Sequence, residues 1–151
     1  MSKTIISDTS CFIVLSKIGQ LDLLYQLFGN IVTTPEIADE FGEKLPDWVE
    51  IVAAKDTHKY KIFETQVDNG EASAMALALE IEKSLLILDD YKARKLAYTL
   101  GIEYIGTIRI IIMAKQKGII DSIKPILAKI KETNFRISAE LELQALIQAK
   151  E

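Results

Sequence analysis

Short apolar runs alternate with helical spacings along this chain. Thr4, Ile5 and Ile6 read as a strand, and the polar turn Ser7-Asp8-Thr9-Ser10 leads into the helical pattern Cys11, Phe12, Leu15, Ile18. Gly19 interrupts it, and Leu21, Leu24, Leu27 and Phe28 predict a second short helix before Gly29. Ile31 and Val32 form the next strand. Thr34-Pro35 then opens a helix as N-cap and first helical residue, with Ile37 and Phe41 on its apolar face. Trp48 to Val52 reads as a short strand suited to a sheet edge, Lys55 to Gln66 as a polar helix, and Asp68-Asn69-Gly70 as a turn. Glu71 leads an alanine-rich helix with Ala72, Met75, Ala76 and Leu79 available to pack on a sheet.

Leu85, Leu86, Ile87 and Leu88 are too compact a run for a helix and predict a fully buried strand with Asp89 and Asp90 at its tip. A helix through Lys92, Arg94 and Leu96 follows, closed by Gly101. Glu103-Tyr104-Ile105 is a further strand, with Gly106-Thr107 as the turn at its tip and a helix from Ile108 to Lys117 beyond. Two amphipathic helices complete the chain, Ile123 to Lys131 and Ser138 to Ala149, the last with Ser138 as N-cap. Strands alternating with helices give one α/β domain over residues 1–151, built on a parallel sheet of about four or five strands.

Composition narrows the class. Apolar residues are 49% of the 151, enough to bury a core without disulfides or structural metal. The apolar runs are short and no apolar segment with a cleavage site opens the chain, so no membrane span, no signal peptide and a cytoplasmic location are expected. Cys11, the single cysteine, has no Cys or His at metal-ligand spacing and reads as a small packed hydrophobe. A net charge of -4 argues against coating nucleic acid over the whole surface. The charge is divided, however: residues 1–83 carry 7 Lys/Arg against 14 Asp/Glu, and residues 84–151 carry 11 against 8. The second part offers a phosphate-bearing partner a handle while the acids hold metal.

Asp8 and the pair Asp89/Asp90 follow separate strands, so a parallel sheet carries them to the edge where ligands of open α/β sheets collect. Thr107 ends a third strand there. Glu40, in the helix after the Ile31 strand, and Glu71, in the first turn of the helix before the Leu85 strand, lean over the same edge. Each aspartate taken singly also reads as a helix N-cap. Several unpaired carboxylates in one cleft repel, and a divalent ion resolves the conflict: Mg²⁺ and Mn²⁺ take hard oxygen ligands from different elements and keep several waters. Such an ion lowers the pKa of a bound water and neutralises a phosphodiester under in-line attack. Other chemistries lack their residues. The one histidine, His58, lies in a polar helical segment, and there is no nucleophile elbow, P-loop or dinucleotide fingerprint. Lys92, Arg94 and Lys95 form a basic cluster that reads either as a solvated helix face or as a phosphate-binding patch.

The segments SDTS at 7–10, TPEIADEF at 34–41, GEASAMALALE at 70–80, LILDDYKARKLAYTLG at 86–101 and GTIRIIIMAKQKGII at 106–120 resemble the PIN-domain superfamily in order and spacing. Within it the chain is most similar to the prokaryotic PIN-like branch DUF3368. The resemblance implies a three-layer α/β/α sandwich and a ribonuclease site dependent on Mg²⁺ or Mn²⁺, as in the toxin halves of toxin–antitoxin pairs. RNA would be the substrate and a small antitoxin protein the partner. Carried over by position, the acids are Asp8, Glu40, Glu71 and Asp90 or Asp89. Thr107 fits a Gly-Thr turn whose hydroxyl binds a metal water or phosphate, while Lys92, Arg94 and Arg109 hold the RNA backbone. The chain departs from the branch at Cys11, where proline is commoner, and at Arg109, where glycine is commoner. Arg109 there either clamps a phosphate or occupies the metal site in place of an ion. The alternative is a PIN-like module that binds RNA or protein without cutting. Ile126, Leu127, Leu141 and Leu146 on the C-terminal helices are core by default and otherwise a homodimer face.

Overall fold

The computed structural model describes residues 3–151. Its elements run β1 (Thr4–Ser7), α1 (Thr9–Lys17), α2 (Asp22–Phe28), β2 (Ile31–Thr33), α3 (Pro35–Phe41), β3 (Val49–Ile51), α4 (Thr57–Phe63) and α5 (Asn69–Glu80). They continue with β4 (Ser84–Ile87), α6 (Tyr91–Thr99), β5 (Tyr104–Ile105), α7 (Thr107–Gln116), α8 (Lys124–Lys131) and α9 (Ala139–Gln148). Among the described residues the strands form one five-stranded parallel sheet in the order β3-β2-β1-β4-β5.

β1 and β4 lie at the centre, in register from Thr4 opposite Ser84 to Ser7 opposite Ile87. Strands covered on both faces need no polar alternation, and Ile6, Leu86, Ile87 and Leu88 are all sealed from solvent. Full burial begins only at Leu86. Ser84 and Leu85 are half-buried, because the strand starts at the rim of the sheet rather than inside it. The short β3 takes an edge, as Trp48 to Val52 suggested.

The helices form two packed sets, α1 on α3 with α3 and α4 on α5, and α2 on α7 with α7 on α9, completing a three-layer α/β/α sandwich. Phe12, Leu15, Leu24, Met75 and Ile110 fill the space between layers. Helix starts follow their caps: Thr34 accepts from the Ile37 N–H ahead of Pro35, and Ser138 accepts from the Leu141 N–H. One expectation is corrected. Asn69-Gly70 is not a turn but the first turn of α5, because Asp68 and Glu71 close a reciprocal capping box around it.

Ile126 and Leu127 belong to the core and Leu146 packs partly against it, whereas Leu141 is 42% exposed. The connection from α8 to α9 carries Phe135 and Arg136 toward the carboxyl ends of the strands. Glu151 clamps the C-terminal helices, accepting from Ser122, the Ile123 N–H and Lys115. No single helix among the described residues is long and apolar enough to cross a membrane.

Candidate functional site

The chain builds β2 and β3 on one side of β1, then returns to place β4 and β5 on the other. Strand order therefore reverses between β1 and β4, and a crevice opens beyond their carboxyl ends. Asp8 stands at the end of β1 and Asp89 just past the end of β4. Asp8 is only 3% exposed. One of its carboxylate oxygens accepts from the Cys11 N–H at 2.9 Å as N-cap of α1, and the other accepts from the Asp89 N–H at 3.2 Å. Burial, and then the charge of Asp89, push the Asp8 carboxyl well above its usual range. Burial likewise raises the Cys11 thiol, which is packed away from solvent as expected.

Asp89 is gripped from behind. Its two oxygens accept from the Thr107 N–H at 2.8 Å and the Thr107 hydroxyl at 2.6 Å. Thr107 is fully buried at the start of α7, and its hydroxyl is turned onto Asp89, which it helps to position. Asp90 is exposed and caps α6 by accepting from the Ala93 N–H at 2.9 Å. The capping reading thus holds for Asp8 and Asp90, and it uses only part of each carboxylate.

Glu71, the third residue of α5, is half-buried. Its carboxyl is pushed up to about 7, chiefly by burial and then by the charges of Asp68 and Asp90. Glu40, near the end of α3, is raised by burial and by Asp68. Phe41 beside it packs on Phe12 with ring centres 5.8 Å apart, which anchors the end of α3 on α1. A cleft of about 540 Å³ brings Asp8, Glu40, Glu71, Asp89 and Asp90 together with Asp68, which the sequence reading had placed only in a turn. No ion pair found among the described residues reaches any of these six acids. Their all-oxygen chemistry fits Mg²⁺ or Mn²⁺. They do not form a closed cage: no three of them converge as a ready-made metal site among the described residues.

Gly70 explains how Glu40 reaches the cleft. A methyl group on Gly70 would fall 2.0 Å from Oε1 of Glu40, so only glycine leaves room for that carboxylate over the start of α5. Gly70→Ala is expected to keep the fold, since alanine favours a helix by about 0.5–1 kcal/mol and the displaced group is the tip of a flexible side chain. Divalent-ion affinity should fall by about 10- to 100-fold as Glu40 is evicted. Calorimetry with Mn²⁺ checks this, and unchanged affinity would remove Glu40 from the site.

The cations are distributed differently from the expectation. Arg94 donates through Nε to the Leu88 carbonyl at 2.7 Å and lies over the Tyr104 ring, its guanidinium in space that Gly106 leaves free. Arg109 does not enter the acid cleft. It lies on the exposed face of α7, donates to Gln148 of α9 at 3.2 Å and lines a neighbouring cavity of about 450 Å³, so it does not replace an ion among the carboxylates. Lys92 is exposed on α6, and His58 is exposed on α4. Lys17 and Arg136 supply the cations of the acid cleft, and Arg136 and Phe135 line both cavities. The pattern Asp68 to Glu71 was a readable capping-box signal. Nothing local marked Phe135, Arg136 or Lys17.

A crevice at the switch point of a parallel sheet, ringed by carboxylates that no ion pair reaches among the described residues, defines a PIN-type α/β domain. The chain matches the PIN-domain family DUF3368 over residues 4–151 and belongs to that family. PIN domains are typically nucleases, generally use divalent metal ions and act on nucleic acid. No protein of curated function matches this sequence.

Proposed function

We propose that this protein is an endoribonuclease that cuts RNA with the help of Mg²⁺ or Mn²⁺. The observation that supports it best is the buried Asp8 carboxylate beside Asp89, at the carboxyl end of a parallel sheet, with no ion pair among the described residues reaching either. Asp8 and Asp89, with Glu71 and Asp90 lining the same cleft and Glu40 over the start of α5, would hold one or two ions. Bound there, such an ion supplies an activated water and neutralises phosphodiester charge. The protein's own groups do the rest. Thr107 fixes Asp89 through two bonds, and two backbone N–H groups fix Asp8, so neither carboxylate reorients during the reaction. Without an ion the Glu71 carboxyl is pushed up to about 7, so an ion bound there would compete with a proton near neutral pH. Lys17 and Arg136 attract the phosphates of the strand across the acidic floor.

RNA incubated with the protein is expected to be cut when Mn²⁺ or Mg²⁺ is present and left intact in excess EDTA. Equal cleavage in EDTA, or none with either ion, would overturn this reading. We further propose a cytoplasmic toxin held by a small antitoxin protein, with support in the resemblance of the motifs to such toxins. Growth arrest on expression, relieved by the product of an adjacent small gene, is the test. A second reading, a module that binds RNA or protein without cutting, is favoured by one fact: no three carboxylates converge among the described residues. Binding of RNA with no metal-dependent product would select it.

A further inference from the structure

α6 starts at the acid cleft, because its N-cap is Asp90, and it leads away from the cleft along the protein surface. Its buried side is made of small residues, Ala93 and Ala97, which seat it on the domain. Its outer side is unusual. Tyr91 is 77% exposed and Tyr98 78% exposed, the two highest values among the exposed large hydrophobic side chains of the described residues. They lie seven residues apart, so they share one face about 10 Å apart along the axis. Lys95 falls between them on that face, with its ammonium 5.8 Å from the Tyr91 ring centre. Arg94 lies one residue before it, 5.3 Å from the Tyr104 ring centre, and Tyr91, Arg94, Lys95, Tyr98 and Tyr104 line a single surface groove. The helix carries Lys92, Arg94 and Lys95 and no acid, in a protein whose net charge is -4.

We propose that this face of α6 is a stacking platform for single-stranded RNA, which holds the strand running out of the acid cleft. An exposed aromatic ring offers a surface on which any base can stack, and cations interleaved with the rings meet the phosphates between those bases. From Tyr91 to Thr99 the helix carries cations and no acid, and cations interleaved with exposed rings favour a polyanion with stackable bases over a protein partner. A duplex does not fit: its bases are already stacked and cannot reach the rings. The two tyrosines take bases a few nucleotides apart, and Lys95 takes a phosphate between them. The inference rests on the ribonuclease reading for its substrate class, but binding can be measured without cleavage.

The test is fluorescence anisotropy of a labelled single-stranded RNA of mixed sequence in EDTA, so that cleavage plays no part. Wild-type protein should bind it more tightly than a hairpin duplex of the same length. The double variant Tyr91→Ala/Tyr98→Ala should lose about 10-fold or more in affinity, whereas Tyr91→Phe/Tyr98→Phe, which keeps the rings, should retain it. Lys95→Ala should reduce the slope of log affinity against log salt by about 1. Because both tyrosines are exposed, circular dichroism of the alanine variant should match the wild type. No binding of single strands, equal affinity in the alanine variant, loss in the phenylalanine variant, or a preference for duplex each overturns the platform. Loss of a protein partner with RNA affinity unchanged overturns it too. If the platform is right and the ribonuclease reading wrong, tyrosine-dependent binding persists with no cleavage on adding Mn²⁺.

Discussion

Replacing Asp8 by asparagine is expected to remove high-affinity Mn²⁺ binding and to lower RNA cleavage by about a thousandfold or more, several kcal/mol of lost charge stabilisation. The substitution is nearly isosteric, and the amide oxygen can still accept the Cys11 N–H that starts α1. The second oxygen becomes an NH₂ facing the Asp89 N–H, which costs about 1 kcal/mol for one lost bond. Removing a buried charge next to Asp89 offsets that cost, so the folded state survives. Asp90→Asn supplies the contrast. Asparagine caps a helix as well as aspartate, and Asp90 is exposed, so its replacement should leave the fold alone and reduce cleavage less than Asp8→Asn or Asp89→Asn. Calorimetry and a gel assay on the three variants settle which aspartate after β4 matters. Full activity in Asp8→Asn would sink the carboxylate site altogether.

Metal-free protein is expected to lose stability as pH rises, the reverse of the usual trend for a domain rich in paired carboxylates. The carboxyls of Asp8, Glu40 and Glu71 are all raised in the folded state, first by burial and then by neighbouring acids. Between the ordinary carboxylate range and these raised values the folded chain binds more protons than the unfolded one. Stability is then complete below the ordinary range and drains away as pH climbs, for Glu71 through about 7. Glu71 is half exposed, so solvent screening reduces its share to on the order of 1 kcal/mol. With Asp8 added, the melting temperature in EDTA should fall by several degrees between about pH 5.5 and about pH 8, given roughly 2–4 °C per kcal/mol in a domain of this size. Saturating Mn²⁺ should reverse the slope, because binding displaces the protons and adds about 2.7 kcal/mol at a hundredfold excess over Kd. A melting temperature that rises with pH in EDTA would show that the acids do not repel one another in the folded state.

The order of strands and helices was legible because it depends on local patterns. Apolar runs bounded by caps, as at Thr34-Pro35 and Ser138, place elements without reference to the rest of the chain. Asp8, Asp89 and Asp90 were also visible, since a carboxylate directly after a buried strand must lie at the sheet's carboxyl edge once the strands are parallel. The boundary at Gly70 was misread because Asn-Gly is a turn signal in isolation. Its helical state rests on the reciprocal Asp68–Glu71 box, in which each residue's side chain accepts from the other's backbone N–H.

Thr107 and Arg109 mark the same limit from two sides. Both sit at the start of α7, and their positions in the segment that resembles the family made each a candidate to touch RNA or metal. Burial turned the Thr107 hydroxyl onto Asp89, while the outward face of α7 carried Arg109 to Gln148 and the neighbouring cavity. Sequence by itself therefore determined the α/β class and the acids at the ends of β1 and β4, because each follows from periodicity and capping within a few residues, while the order and spacing of its motifs carried the resemblance to the family. Only the tertiary structure decided which side chains share the cleft, that Phe135 and Arg136 line it, and that the two tyrosines of α6 stand free beside it. Those facts depend on contacts between elements far apart in the chain, which no local pattern encodes.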